Sequence, residues 1–272
     1  PNGDDHPVSR NLEPEYITVV GGVAYATLQE ANAIATVDLA SATVTDIHAL
    51  GFKDHSLPEN ALDPSDRDDK VELRTYEGLK GMYQPDAIDS YTAGGTTYLV
   101  TANEGDAREW GDYAEVVRAK DLGDDGLAPV CDDSPVADSL GDEDLGRLNV
   151  TVENGLDADR GCYDELYSFG GRSFAIWTTS GELVWDSGSS FEEVTSAAAP
   201  EFFNSNHSES NLEGRSDDKG PEPESVTIGE LSGRTYAFVG FERVGGVAAY
   251  DITDPASPDF VTYVNNRDFS QS

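Results

Sequence analysis

The run Asp63-Pro64-Ser65-Asp66-Arg67-Asp68-Asp69 sets four carboxylates within seven residues. Calcium takes about six to eight oxygen ligands, and closely spaced aspartates with intervening carbonyls supply them. The plainer alternative is a solvated acidic loop in an acidic protein. A second set is dispersed: Glu15, Asp86 and Glu224 each follow a proline. Brought to one axis by a repeating scaffold, they form a ring of like charges, costly unless a cation, Arg or Lys neutralises it. Repetition also has a structural reading, because a residue present in every repeat usually serves the repeat. A further repeated acid, at Glu30, Glu104 and Glu242, suits loop capping or pairing with Arg108, Arg243 and Arg267.

Cys131 and Cys162 have 30 residues between them. Two thiols with no nearby His do not make a zinc site, and acidic neighbours disfavour a reactive thiolate. One disulfide, formed in an oxidising compartment, is the simplest reading; two unrelated free thiols are the alternative. Catalytic signals are weak. Asp54-His55-Ser56 is contiguous, so its side chains do not converge as a triad must. No Gly-x-Ser-x-Gly elbow, phosphate-cradling glycine loop or His-Glu-x-x-His occurs.

The chain that must position these residues has 272 residues, with 53 Asp+Glu against 17 Lys+Arg and a net charge of −36. That charge argues against nucleic acid or an anionic membrane as partner. It favours cations, basic partners or high ionic strength. No run of 18 apolar residues occurs, so no transmembrane helix is expected. The opening Pro1-Asn2-Gly3-Asp4-Asp5 fits neither a signal peptide nor an initiating Met, so a piece of a longer parent is expected. Asn149-Val150-Thr151 and Asn206-His207-Ser208 are glycosylation sequons.

A repeat organises the chain. Pro14-Glu15-Tyr16-Ile17, Pro85-Asp86-Ala87-Ile88 and Pro223-Glu224-Ser225-Val226 each lead through a Gly-containing turn to a Tyr-bearing strand that ends near a Glu. Further short runs rich in Val, Ile, Thr and Tyr follow each copy. The pattern predicts an all-β fold of four-stranded antiparallel units, the blades of a β-propeller. Three blades are legible in this single domain of residues 1–272, at about 14–50, 84–190 and 221–264. Polar, acidic loop insertions fall at about 51–83, 105–165 and 191–220. Within the second, residues 113–122 are expected to form a short helix and 148–152 a short strand. Three blades do not close a ring, and open strand edges are avoided. The remaining blades are therefore expected in the rest of a longer parent or in other extracellular chains.

Seven segments in order carry a family resemblance: Leu12-Glu13-Pro14-Glu15-Tyr16-Ile17; Ala24 to Glu30; Gly51 to Pro58; Gly81-Met82-Tyr83-Gln84-Pro85-Asp86-Ala87-Ile88; Thr101-Ala102-Asn103-Glu104-Gly105-Asp106-Ala107-Arg108; Arg215 to Glu224; and Val264-Asn265-Asn266-Arg267-Asp268-Phe269. Together they resemble the choice-of-anchor I domain. The resemblance implies an extracellular or cell-surface seven-bladed-type propeller, of which this chain is the middle and later part. The family often carries an Asp-x-Asp-Gly-Asp-type run, similar to a calcium loop, where this chain has Asp157, Asp159 and Asp164. Arg160 and Cys162 depart from that pattern, so the disulfide is an alternative staple. Arg108, Arg215, Lys219 and His55 also lie in the resembling segments. On one face they would receive an anion such as phosphate; otherwise they neutralise neighbouring acids. Three functions follow as expectations: a non-catalytic scaffold or ligand-recognition module stabilised by calcium, a calcium-dependent phosphoester hydrolase or its accessory domain, and a subunit of a larger extracellular assembly.

Overall fold

The computed structural model describes residue 8 and residues 11–271. Strands β1 (Pro14–Val20), β2 (Val23–Leu28), β3 (Ala33–Asp38) and β4 (Thr43–Ala49) pair antiparallel in chain order. β5 (Phe52–Asp54) and β6 (Leu79–Met82) precede the hairpin of β7 (Ile88–Ala93) and β8 (Thr96–Asn103). Next come β9 (Glu109–Trp110), β10 (Tyr113–Ala114), β11 (Val116–Arg118), β12 (Asn149–Thr151), β13 (Leu156–Asp157), β14 (Cys162–Tyr163) and β15 (Leu166–Ser168). β16 (Ser173–Thr178) and β17 (Leu183–Asp186) lead to helix α1 (Ser190–Ala198). β18 (Pro223–Leu231), β19 (Arg234–Phe241), β20 (Val247–Asp251) and β21 (Asp259–Val264) close the chain.

The fold is all-β. Three four-stranded antiparallel sheets, β1–β4, β7-β8-β16-β17 and β18–β21, carry the repeat. Each begins with the same two-residue turn: Gly21-Gly22, Gly94-Gly95 and Ser232-Gly233, with positive φ at both positions. That is the geometry of a type I′ hairpin, whose twist matches the strands it joins. The Gly-containing turn of the repeat is thus a backbone requirement.

The second sheet lies between the other two, and its alternation decides which neighbour each residue meets. Leu99 and Trp177 pack with Tyr25 and Ile34 of the first sheet. Val100, Phe174 and Ile176 pack with Val239, Ala248 and Tyr250 of the third. Successive side chains of a strand point to opposite faces, so a continuous apolar run serves a sheet buried on both sides. The first strands lie together, β1 beside β7 and β7 beside β18. Polar ties fix them: Thr27 Oγ1 donates to the Asp86 carbonyl at 2.7 Å, and Ile228 N donates to Asp89 Oδ2 at 2.9 Å.

The first sheet's far face is apolar, and among the described residues its outer strands have no cover. Its cross-strand rows are Ile17-Ala26-Ala35-Ile47 and Val19-Ala24-Val37-Val44. Ile17, Val19, Val44 and Ile47 are 61%, 57%, 56% and 46% exposed.

Two regions read as loops are more ordered than the sequence indicated. Residues 51–83 and 105–165 supply strands to one five-stranded sheet, in the order β11-β12-β15-β6-β5, with β15 and β6 parallel. Leu62, Leu79, Leu145, Leu148, Val150 and Leu166 give it a core of its own. Its strands have three or four residues, too few to show a period. The helix expected over 113–122 is instead β10, β11 and a 3-10 turn at Ala119–Asp121. There Val116 and Val117 pair with Thr151 and Val150, and β-branched pairs favour a pleated surface. The strand expected over 148–152 is present as β12. The long insertion leaves and re-enters the second sheet where Gly105 and Gly170 touch. A Cβ on Gly105 would stand 2.2 Å from Gly170 N, and one on Gly170 would stand 2.0 Å from the Glu104 carbonyl oxygen. Cys131 and Cys162 form a disulfide, as expected.

Candidate functional site

The inner ends of the three sheets meet in an ionic knot. Glu104 follows β8, Gln29 follows β2, and Lys219 lies on the turn before β18. Lys219 Nζ sits 2.6 Å from Glu104 Oε1, and Gln29 Nε2 donates to Glu104 Oε2 at 3.0 Å. One carboxylate thus receives a donor from each flanking unit. Glu222, fully buried, pairs with Arg215 and with Arg243, each at 2.6 Å. Arg243 also lies 3.3 Å from Glu242. Burial disfavours the Lys219 ammonium, but Glu104 and Glu222 outweigh it and its pKa is raised. Burial lifts the Glu222 carboxyl, against the pull of Arg215, Lys219 and Arg243. A cavity of about 320 Å³ opens on this knot, lined in part by Asp106, Arg215, Asp218, Lys219 and Arg243.

The acids after proline do approach one another. Burial, then Glu104, Glu224 and Glu15, push the Asp86 carboxyl up to about 7, with Lys219 opposing. Tyr16 feels Asp86 first, then burial and Glu224 and Glu15, and is raised too. Nearby, burial and a hydrogen-bonded Glu13 push Glu30 up to about 8. Glu30 and Asp86 therefore hold protons that the unfolded chain has released, and their contribution to stability falls as pH rises from about 4 to 8, outweighing above pH ~6.5 the opposite contribution of a buried neutral His55. Thermal unfolding in chelator at fixed ionic strength should lose about 2 kcal/mol between pH ~5.5 and ~7.5. Glu30→Gln should flatten that slope. A melting point that climbs with pH over the same range would contradict it.

The four residues expected to receive an anion do not share a face. Arg215 and Lys219 line the knot cavity. Arg108 turns away, donating to the Glu30 carbonyl at 2.6 Å and lying 3.4 Å from Glu115. His55 is 1% exposed, with Nδ1 bonded to the Asn60 carbonyl at 2.7 Å. Burial, then Lys53, hold its pKa down at about 3, so it is neutral. The pairing with neighbouring acids given as the alternative describes Arg108, Arg215 and Lys219 in this fold, each of which serves a carboxylate.

The Asp63–Asp69 run divides. Asp63 and Asp68 turn inward, and one oxygen of each lies within 4.8 Å of one on Glu213. Asp66 instead pairs with Arg147 at 3.0 Å and Arg67 at 2.6 Å, and Asp69 is exposed. Asp63 is anchored by Ser65 N to Oδ1 and Glu72 N to Oδ2, at 3.3 and 3.1 Å. Burial, then Glu192, push Asp63 up to about 7; burial, then Asp63, Asp68 and Asp69, push Glu213 up to about 8. Sequence reasoning missed Glu213, a lone acid with no spacing signal. Tertiary contacts bring it there: its N–H pairs with the Phe203 carbonyl at 2.8 Å, and the Lys70 backbone N–H meets its carboxylate. In the Asp157 loop, Asp157 Oδ1 accepts from Asp159 N and Arg160 N at 2.9 and 3.2 Å. Arg160 bridges Asp133 and Asp164. The three acids Asp157, Asp159 and Asp164 do not converge; an arginine and the disulfide staple this loop.

The choice-of-anchor I domain matches over residues 1–255. The chain belongs to the choice-of-anchor I domain family. It is 32% identical over 279 aligned residues to the mesenchyme-specific cell surface glycoprotein of Strongylocentrotus purpuratus, covering 91% of this chain and 36% of that protein. It is 39% identical over 113 residues to Gigasin-3a of Magallana gigas, covering 39% of each. The chain thus spans little more than a third of these relatives. Among the described residues of this family member, no helix is long and apolar enough to cross a membrane.

Proposed function

We propose that this choice-of-anchor I chain is part of an extracellular β-propeller that works as a non-catalytic scaffold or ligand-recognition module, stabilised by calcium. The carrying observation is the convergence of β1, β7 and β18, which sets Glu15, Asp86 and Glu224 within electrostatic reach of one another. Sheets packed face to face with their first strands at a common axis are the building rule of a propeller. The relative named a cell surface glycoprotein supports an extracellular location. So does the disulfide, which oxidising compartments preserve.

The uncovered rows of the first sheet support further blades. Eight apolar residues in two rows fit another four-stranded sheet, from a longer parent or a neighbouring extracellular chain. The test is sedimentation of the purified chain with and without Val19→Asp and Val44→Asp. The chain should associate through this face, and the double variant should be a monomer near 29.2 kDa. A parent chain that is already monomeric and buries no further surface would sink the propeller-completion part. Hydrolysis has less support, because Arg108 and Lys219 are engaged by carboxylates. Calcium-dependent turnover of p-nitrophenyl phosphate that Lys219→Met abolishes would overturn the non-catalytic reading.

A further inference from the structure

We infer that Asp63, Asp68 and Glu213 form a calcium site that clamps the 61–75 loop to the 203–216 segment. Glu213 is 2% exposed, and the Asp68 side chain is equally buried. Glu213 Oε1 and Asp68 Oδ1 have no hydrogen-bond partner. A buried carboxylate oxygen without a donor is costly, and two such oxygens in one cluster call for a proton or a cation between them. The protein supplies little. Arg74 reaches Asp68 only at 3.5 Å, through the other oxygen, Oδ2. Arg172 spends its nearer nitrogen on Glu192 and the Asp63 carbonyl, both at 2.8 Å. Three carboxylates therefore share one marginal arginine, and a divalent ion brings the cluster near neutrality.

The donor set is entirely oxygen, which selects a hard cation over zinc or copper. The three ligands come from irregular backbone in two separate segments. That suits the adaptable shell of calcium better than the strict octahedron of magnesium. The two other acid clusters among the described residues already have occupants. Lys219, Arg215 and Arg243 neutralise Glu104, Glu222 and Glu242. Arg160 and the disulfide occupy the Cys131, Asp133 and Asp164 cluster. The clamp has a consequence for the knot, because the segment fixed by Glu213 leads directly into Arg215 and Lys219.

The inference rests on the calcium stabilisation proposed above and names its ligands. Calcium titration of the chelator-treated whole chain, by calorimetry and native mass spectrometry, tests it. One firmly held calcium ion per chain is expected. Glu213→Gln and Asp68→Asn should each weaken it about tenfold or more, a loss of one buried charged ligand. Asp157→Asn should leave it unchanged. Circular dichroism establishes that each variant folds, and Asp68→Asn decides the matter should Glu213→Gln fail to. Calcium bound with parental affinity by the folded Glu213 or Asp68 variant overturns this site but leaves calcium stabilisation standing. A parent chain that retains no calcium overturns both.

Discussion

Replacing Arg172 by Met should destabilise the fold by about 3–5 kcal/mol, the cost of breaking a buried ion pair and leaving its partner charged. Arg172 is 3% exposed and bonds four groups from three segments. Nη1 donates to the Asp63 carbonyl and to Glu192, each at 2.8 Å; Nη2 donates to the Ser216 and Asp218 carbonyls at 2.6 and 3.0 Å. One side chain thus joins the first insertion, helix α1 and the turn before β18 to the start of β16. Gly220 packs against its guanidinium, where a Cβ would lie 2.9 Å from Nη1. Thermal melting is the measurement, and a drop on the order of 10 °C is expected for a domain of this size. Arg172→Lys should recover little, because an ammonium cannot present the planar fork that reaches four acceptors. Adding Glu192→Gln to Arg172→Met should restore part of the loss by removing the stranded charge. A single-variant melting point within about 2 °C of the parent would show that these bonds contribute little net stability.

The repeat was legible because its determinants are local. Gly94-Gly95 between two alternating runs can hardly be anything but a tight hairpin turn, and the same holds at Gly21-Gly22. Register followed, since each strand keeps its alternation across the turn. The five-stranded sheet was not legible. Its partners come from segments far apart, and β15 pairs in parallel with β6 across the whole of β7 and β8. Non-local pairing of strands this short leaves no periodic trace in either one. The valines of β11 sit in a stretch that reads as helix only when β12 is ignored.

The site shows the same division. Asp63 and Asp68 were visible as part of a dense acidic run, whereas Asp66 and Asp69 belonged to the run and not to the cluster. Density in sequence cannot say which carboxylate faces inward. That depends on Ser65 N and Glu72 N, which turn Asp63 back over its own loop. Glu213 was invisible because only a tertiary contact brings it there. For the cations, an anion and the neighbouring acids both stayed open, because a sequence shows their type and not their partner. Arg215 and Lys219 spend their charge on Glu222 and Glu104.

Lys219→Met should cost about 3–5 kcal/mol at pH ~8 and clearly less at pH ~6. Lys219 is 8% exposed, so little water can take over the charge on Glu104 when the ammonium is gone. The loss spreads further, because the same ammonium opposes the raised pKa values of Asp86, Glu222 and Glu224. Each of these is already lifted by burial, and without Lys219 each binds a proton more readily. Protonation at lower pH removes the repulsion that the variant exposes, which is why the penalty shrinks there. Denaturant unfolding at the two pH values measures it, and Glu104→Gln supplies the control. Alone, Glu104→Gln should also destabilise; with Lys219→Met it should recover about 1–3 kcal/mol of coupling. Equal penalties at both pH values would mean that Lys219 acts through its aliphatic stem against the knot, and that its charge is not what holds the three sheets together.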